Sequence, residues 1–253
     1  MFINRIKIAL TTLLVLGASD IYAQNFKVVL DPGHGGKDPG AVRGSFIEKE
    51  IVLDVALKVG ELLELDKDVH VIFTRKTDVF VEVAERTKIA NRAKADVFVS
   101  IHVNAAKNTE ANGAETFIMG LSKNEANLEV AKRENAVITL EDNFQKHYEG
   151  FDPNRPESLI GLTLIQEQFL KQSIDLASKI QVRFKNDVLR NDRGVKQAPF
   201  WVLHSALMPS ILIELGFISN KLEGEYLNSE KGKNELAKAI ANAIRTYIKT
   251  ISS

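Results

Sequence analysis

Two residues with metal-binding side chains lie close together near the start of the chain. His34 follows the apolar run Val28–Leu30 in a turn rich in glycine and proline, and Glu48 lies fourteen positions later at the start of an amphipathic pattern. A strand that stops at such a turn places its last side chains at the rim of a sheet, where open α/β sheets bind ligands. An imidazole and a carboxylate held there are suitable ligands for a divalent metal.

Two further polar residues stand at comparable points. His102 follows the apolar run Asp96–Ile101, and Glu214 lies in the apolar run Ile211–Leu215 near the end of the last strand. The ends of parallel strands share one sheet edge, so these side chains can converge with the first two. A buried, unpaired carboxylate is costly, and a nearby metal or cation would stabilise Glu214.

This set of residues suits one particular kind of chemistry. Two imidazoles and one carboxylate match catalytic Zn²⁺, which leaves a fourth position for water, and a second carboxylate can act as the base. From spacing alone, a single histidine at a strand end is more often a hydrogen-bonded loop residue. Glu48 could likewise be a helix N-terminal charge. The residues alone do not decide which carboxylate would bind the metal.

The elements that must position these residues alternate between strands and helices. Apolar periodicity predicts strands at Phe26–Leu30, Val69–Phe73, Asp96–Ile101, Gly113–Met119, Phe200–Leu203 and Ser210–Leu215. It predicts helices at Glu48–Leu65, Val83–Ala95, Ser122–Val137, Leu159–Lys185 and Asn234–Ile251. The alternation predicts a single α/β domain over residues 25–253, with a mixed, mainly parallel sheet and helices on both faces. Residues from about 122 to 160 are too polar for a core of their own and read as a helical insertion.

The N-terminus and the composition limit where the protein works. Residues 1–24 combine two early positive charges, an apolar run and a small residue at the end, which predicts a secretory signal peptide. We therefore expect a periplasmic or secreted protein with no stable membrane insertion after cleavage. The formal net charge is zero, which does not indicate a nucleic-acid partner. The absence of cysteine excludes disulfides and thiolate ligands.

Four separated motifs together resemble a known family. They read DPGHGGKDPGA with EKEIVL, TRKTDVFVEVAERTKIANRAKADVFVSIHVNAA, NGAETF, and PFWVLHSALMPSILIELGFISN. In this order they resemble the zinc-dependent N-acetylmuramoyl-L-alanine amidases of the AmiA/AmiB/AmiC type, over residues 26 to 250. The resemblance implies one Zn²⁺ and hydrolysis of the peptidoglycan amide between N-acetylmuramic acid and L-alanine, in cell-wall remodelling and daughter-cell separation. It implies His34, Glu48 and His102 as zinc ligands and Glu214 as the catalytic residue.

The remaining polar residues carry weaker expectations. Arg75 and Arg86 are expected to fix loops or form structural ion pairs, and Asn104 either orients a ligand or touches substrate. Three further histidines have no second metal-binding residue at a spacing typical of a metal-ligand motif, and we expect them at the surface or in the core: His70, His147 and His204.

The insertion is similar to a helical segment that covers the zinc site in some members of this family until a partner removes it. A carboxylate such as Glu129 or Glu134 could then approach the metal. The alternatives are a substrate-facing flap and a solvated surface hairpin. If the segment is inhibitory, the resemblance implies an extracytoplasmic activator, such as a LytM-domain protein.

Other functions make different demands on the sequence. A catalytically silent wall-binding regulator would have lost a site residue, and none is lost. A serine esterase needs G-x-S-x-G and a zincin needs H-E-x-x-H; neither occurs. A zinc carboxypeptidase-like wall peptidase uses a similar ligand set and is the nearest enzymatic alternative.

Overall fold

A computed structural model describes residues 25–142, 144, 148 and 168–252. The strands are β1 (Phe26–Pro32), β2 (Val42–Arg43), β3 (Phe46–Ile47), β4 (Val69–Phe73), β5 (Val97–Asn104), β6 (Ala114–Met119), β7 (Asp192–Ala198) and β8 (Ser210–Phe217). The helices are α1 (Glu48–Leu63), α2 (Val83–Ala93), α3 (Glu125–Asn135), α4 (Leu170–Asp187), α5 (Trp201–His204), α6 (Lys221–Asn228) and α7 (Glu230–Ile251). A 3₁₀ turn, Ala136–Leu140, follows α3.

Six strands form one sheet in the order β4-β1-β5-β8-β6-β7, and β2 pairs with β3 as a separate hairpin. All neighbouring strands of the large sheet are parallel except β6 and β8, which are antiparallel. Helices α1, α4 and α7 pack on one face, and α2 and α5 pack on the other. The predicted mixed, mainly parallel α/β fold is confirmed.

The central strands are apolar enough to be buried on both faces. Every residue of β5 and β8 is buried, as expected for parallel strands covered by helices. Helix α7 presents a regular apolar stripe to the sheet and is capped by the Ser229 side chain, which accepts a hydrogen bond from the backbone N–H of Gly232. The carboxyl ends of β1, β5 and β8 consequently lie side by side within a rigid core.

The structure corrects several element predictions. Phe200–Leu203 is not a strand: Trp201–His204 is a short helix, and the backbone N–H of Trp201 donates to the side chain of Asn135. Four apolar residues are too few to separate a strand from a buried helical turn. Strand β7 was not predicted because its residues are mostly polar, as is common at a sheet edge. His102 lies within β5 and not after its end.

Only part of the predicted insertion lies among the described residues. Helix α3 and the following 3₁₀ turn pack Val130, Ala131 and Ile138 into the core. The signal peptide prediction (residues 1–24), the rest of the insertion (143, 145–147 and 149–160) and the start of the predicted helix Leu159–Lys185 lie outside the described residues. No helix in the described ranges has the length and apolar character needed to cross a membrane.

Candidate metal centre

Four buried side chains converge at the carboxyl edge of the sheet, and together they could hold a metal ion: His34, Glu48, His102 and Glu134. The Nε2 atom of His34 lies 3.1 Å from Glu48 Oε1, 3.2 Å from His102 Nδ1 and 3.2 Å from Glu134 Oε2. His102 Nδ1 lies 3.2 Å from Glu48 Oε1 and 2.9 Å from Glu134 Oε2. Glu134 comes from α3, His34 from the loop after β1, Glu48 from the start of α1 and His102 from β5.

The spacing of these four atoms fits a tetrahedral metal. Zinc bonds to nitrogen and oxygen of about 2.0–2.1 Å place the ligand atoms of a tetrahedron about 3.3–3.4 Å apart. The five separations above run from 2.9 to 3.2 Å, close to that value. In addition, Glu134 Oε2 is buried without a well-aligned hydrogen bond, although two imidazoles lie next to it. The donor set therefore fits a four-coordinate divalent metal.

The loop that carries His34 is held in an unusual conformation. His34 has a φ of 59°, in the left-handed region that non-glycine residues rarely adopt. Arg75 donates to the carbonyl groups of Pro32 and Gly33. Arg86 donates to the carbonyl groups of Pro32 and His34. The two arginines thus fix the backbone on both sides of the histidine, which agrees with the loop-fixing role expected of them.

Asp31, just before this loop, is fully buried and anchors it to the neighbouring strands. Its carboxylate accepts hydrogen bonds from Thr74 (2.6 Å), Ser100 (2.7 Å) and Arg86 (2.8 Å). Burial alone would raise the pKa of Asp31, but the Arg86 guanidinium and the two hydroxyls outweigh it and hold the pKa below its usual value. The carboxylate is therefore charged and fully paired.

Two glycines are required by close approach of the ligand side chains. A Cβ at Gly33 would lie 2.3 Å from Cε1 of His102. A Cβ at Gly40 would lie 2.6 Å from the His34 ring and 2.7 Å from the Glu48 carboxylate, and Gly40 also has a φ of 66°. Both positions must lack a side chain so that the imidazoles and the carboxylate can meet.

Hydrogen bonds from outside the cluster orient two of its members. His34 Nδ1 lies 2.6 Å from Asp38 Oδ2, so that Nε2 is the ring nitrogen that faces the other ligands. The carboxylate of Glu48 accepts from the backbone N–H of Val103 on Oε1 and of Ala41 on Oε2, both at 2.8 Å. Asp38 was not singled out from the sequence, although its position four residues after His34 in the same loop is a usable signal.

Glu214 lies next to the cluster without joining it. It is fully buried and pairs across the sheet with His102. Its Oε1 lies 3.5 Å from Arg133 Nη2, and its Oε2 has no hydrogen-bond partner among the described residues. Burial and the nearby Glu134 carboxylate raise its pKa well above the usual value, against the opposing effect of Arg133. A carboxylate with one free buried oxygen and a raised pKa suits proton transfer.

The cluster is strongly coupled electrostatically. Burial acts to lower the pKa of His34, but Glu48, Asp38 and Glu134 outweigh it and hold the pKa well above the usual value. The same balance, with Glu134 contributing most, raises the pKa of His102 to about 9. The site thus concentrates enough negative charge to attract a cation, a proton or a metal.

Helix α3 brings two adjacent residues, Arg133 and Glu134, to the site. Glu134 enters the cluster, whereas Glu129 is exposed and pairs with Lys132. Arg133 donates to Glu134, to the carbonyl of Ala105 and to Oδ1 of Asn104. Of the two carboxylates considered from the sequence, only Glu134 approaches the ligands, and Arg133 was not anticipated.

The other candidates lie outside the cluster. The Asn104 side chain donates a hydrogen bond to Glu115 and accepts one from Arg133. His70 is exposed on β4, and His204 is buried and stacks on Trp201 with ring centroids 4.7 Å apart. His147 lies outside the described residues.

Comparison with known proteins agrees with this fold and gives the family. Residues 28–246 match the Amidase_3 family, described as N-acetylmuramoyl-L-alanine amidase. AmiA of Escherichia coli K12, an N-acetylmuramoyl-L-alanine amidase, is 34% identical over 224 residues, covering 87% of this chain and 75% of AmiA. An N-acetylmuramoyl-L-alanine amidase from Clostridium difficile 630 aligns with a TM-score of 0.68 at 28% identity, covering 90% of this chain and 98% of that one. The CwlD amidase from Clostridioides difficile, solved in complex with the GerS lipoprotein, aligns with a TM-score of 0.65 at 28% identity, covering 89% and 100%.

The α/β fold and the buried His/Glu cluster define a hydrolase with a candidate metal centre at the edge of its sheet. The family match covers most of the chain, and the relatives agree with it. The chain therefore belongs to the N-acetylmuramoyl-L-alanine amidase family, and it is a peptidoglycan hydrolase of that class.

Proposed function

We propose that His34, Glu48 and His102 hold one Zn²⁺ and that Glu214 is the catalytic proton carrier. The substrate is the amide bond between N-acetylmuramic acid and the L-alanine of the stem peptide. The observation that carries this proposal is the tetrahedral spacing of the donor atoms beside a buried carboxylate with a free oxygen.

The roles of the chain's residues follow from their positions. When bound, Zn²⁺ polarises the scissile carbonyl and makes water a better nucleophile. Glu214 takes the proton of the attacking water on Oε2, its free oxygen, and delivers it to the amine of the departing L-alanine. Asp38 holds the His34 ring through Nδ1, and the arginines hold the loop, so the site is organised before substrate binds.

A Glu214→Gln substitution tests this assignment. The amide keeps the shape of the side chain but cannot accept the proton as a base, so we expect activity on purified peptidoglycan to fall about 10²- to 10⁴-fold. Zinc content, measured by metal analysis, should remain near one ion per chain. Glu48→Gln, by contrast, should reduce the zinc content as well.

Two results would contradict the proposal. Parental activity in Glu214→Gln would remove that residue from the reaction. Mass spectrometry of the digest gives the second check: released stem peptides with a free L-alanine amine indicate the amidase, and trimmed stems that remain on the glycan indicate a carboxypeptidase-like enzyme.

We also propose that α3 inhibits the enzyme. Catalytic zinc sites use three protein ligands and keep the fourth position for water or substrate. Glu134 supplies a fourth donor atom at the spacing of a closed site, and Arg133 lies against Glu214. With α3 in this position, both the metal and the catalytic carboxylate are engaged by the protein itself.

Release from inhibition would then require a partner that moves α3. Glu141 accepts from the backbone N–H of Val83 and from Tyr148, both at 2.7 Å, which fastens this segment to the start of α2. An extracytoplasmic activator, for example of the LytM-domain type, would have to break these contacts. Residues 1–24, as a secretory signal, would place the enzyme in the periplasm or outside the cell, where daughter-cell separation requires it.

A further inference from the structure

A row of polar side chains leads across the sheet, away from the metal centre. His102 on β5 pairs with Glu214 on β8, and Glu214 pairs with Glu115 on β6. The next strand, β7, shifts register here, which places Arg193 beside Glu115. Strands lie about 4.8 Å apart, so this end of the row is roughly 10 Å from Glu214.

At the end of the row, two cationic side chains, Arg193 and Lys196, share the carboxylate of Glu115. Glu115 is buried, and its Oε2 accepts from Arg193 Nε at 2.8 Å and from Lys196 Nζ at 2.5 Å. Its Oε1 accepts from Asn104 at 2.7 Å. Two cations on one carboxylate leave a net positive charge. The cations remain partly exposed, with 33% of the Arg193 side chain and 22% of the Lys196 side chain accessible.

Both cations are held in place by aromatic rings. The Arg193 guanidinium lies 4.8 Å from the centre of the Phe217 ring, and Lys196 Nζ lies 5.8 Å from the centre of the Phe117 ring. Arg193 Nη1 also donates to the carbonyl of Asn112, whereas Nη2 makes no hydrogen bond to a described residue. Three contacts therefore position the Arg193 guanidinium, with Glu115, Asn112 and Phe217, and Nη2 is left available as a donor.

These cations line a groove of about 750 Å³ between the sheet edge and α3. The groove walls carry five cations and three carboxylates, in a chain whose formal net charge is zero. Asn104 and Arg133 also line this groove, and Arg133 Nη2 lies 3.5 Å from Oε1 of the buried Glu214. One wall of the groove is α3, which would move when the site opens, whereas Arg193 and Lys196 lie on β7 and would stay in place. These two cations therefore suit an anionic ligand that lies along the sheet edge.

We infer that Arg193 and Lys196 form a specificity site for a free carboxylate on the stem peptide, two or three residues from the scissile amide. An extended peptide advances about 3.3–3.6 Å per residue, so the roughly 10 Å between Glu214 and Arg193 corresponds to two or three residues. Glu115 is a positioning residue: it holds the cations and does not itself touch substrate. This inference rests on the proposed amidase function.

The test uses two synthetic substrates and the full chain. Both are N-acetylmuramoyl tripeptides beginning with L-alanine; one has free carboxylates on its second and third residues, and the other has carboxamides there. The variant Arg193→Gln/Lys196→Gln/Glu115→Gln removes the cations without leaving a buried, unpaired carboxylate, and Arg193→Gln alone is the milder form. Lys249→Gln, at an exposed position of α7, is the charge control.

The expected result is a loss of discrimination. The parental protein should show a kcat/KM at least about tenfold higher for the free acid, because a charged hydrogen bond strengthens its binding. The triple variant should lower the free-acid value to that of the carboxamide, mainly through KM, and leave the carboxamide value unchanged. Lys249→Gln should match the parent. Thermal unfolding confirms that each variant is folded.

Binding measurements keep the test independent of turnover. Calorimetry should show that the parental protein binds the product tripeptide with free carboxylates about tenfold more tightly than the carboxamide form. The triple variant should bind the two ligands with equal affinity. If the parental protein binds both ligands with the same Kd, or if the triple variant weakens the binding of both ligands equally, the carboxylate site is wrong. If neither substrate is cleaved, even with Glu134→Ala added to open the site, the proposed amidase function fails, and the calorimetry still decides the carboxylate site.

Discussion

Because we propose that Glu134 blocks the metal site, replacing it by alanine should raise the basal activity. Glu134 is buried and lies 3.2 Å from His34 Nε2 and 2.9 Å from His102 Nδ1, where it occupies the fourth corner of the metal-binding set. Removing its carboxylate leaves the three proposed zinc ligands in place. It also removes two of the polar contacts that hold α3 over the site, while Val130 and Ala131 remain packed in the core.

The size of the effect can be estimated from these two contacts. The two contacts are poorly aligned as hydrogen bonds but place a buried carboxylate against two imidazoles, so we assign each the lower end of the about 1.5–3 kcal/mol that hydrogen bonds to charged groups contribute. At the lower end, two such contacts favour the closed arrangement by about 3 kcal/mol. Since 1.4 kcal/mol corresponds to a factor of ten, the fraction of molecules with an open site should rise roughly 100-fold. Basal activity should rise by the same factor until nearly all molecules are open.

The assay is dye release from labelled peptidoglycan, without any activator. Glu129→Ala is the matched control, because it removes the same side chain from the same helix but at an exposed position paired only with Lys132. We expect the control to change the rate by less than about threefold. If Glu134→Ala is no more active than Glu129→Ala, or if it loses its zinc, the inhibitory role is wrong.

Three further outcomes are expected. Gly33→Ala should displace the His102 ring and lower zinc content, because its Cβ would lie 2.3 Å from Cε1. In the control Gly44→Ala, the φ of 60° strains the backbone locally, but the new Cβ meets no atom within 4 Å, so metal analysis should show that this variant keeps its zinc. Burial lowers the pKa of His204 from 6.5 to about 4 in the folded protein. Between these pH values the unfolded chain therefore binds a proton on His204 that the folded protein does not bind. The free energy of unfolding should therefore decrease as the pH falls from 6.5 towards 4, by about 1–2 kcal/mol at pH 5, and urea titration of His204→Gln should show a smaller decrease. Chelation should abolish activity and lower the Tm, and added Zn²⁺ should restore both; unchanged activity after complete metal removal would contradict the zinc mechanism.

The fold and the convergence of site residues were predictable because they depend on patterns that the sequence displays directly. Alternating apolar runs and helical stripes specify the α/β architecture, and polar residues that follow such runs must meet at one sheet edge. His34, His102 and Glu214 are of this kind. The assignment of Glu48 as ligand in place of Glu214 came from the resemblance to the amidases and is supported by the position of Glu48 within the cluster.

Other features depend on tertiary contacts and were missed for that reason. Strand β7 is polar because it lies at the sheet edge, so its pattern resembles a loop; it nevertheless carries Arg193 and Lys196. Glu134 is distinguishable from Glu129 only if the inward face of α3 is known. Glu134 lies one turn after the buried Val130 and thus on the same side of the helix.

The four side chains around the candidate metal come from distant parts of the chain. His34 and His102 are 68 residues apart, Glu134 belongs to α3, and the neighbouring Glu214 belongs to β8, the last described strand along the chain. Pairing β1, β5 and β8 in parallel requires long loops to close first, which makes such sheets slow to fold. Metal capture should therefore be a late event, available only to chains whose central strands have already assembled. Once bound at a concentration 1,000 times its Kd, a ligand specific for the native state adds about 4 kcal/mol to stability. Catalytic activity and the additional stability would then both be gained when the metal binds, so partly folded chains would not hydrolyse peptidoglycan.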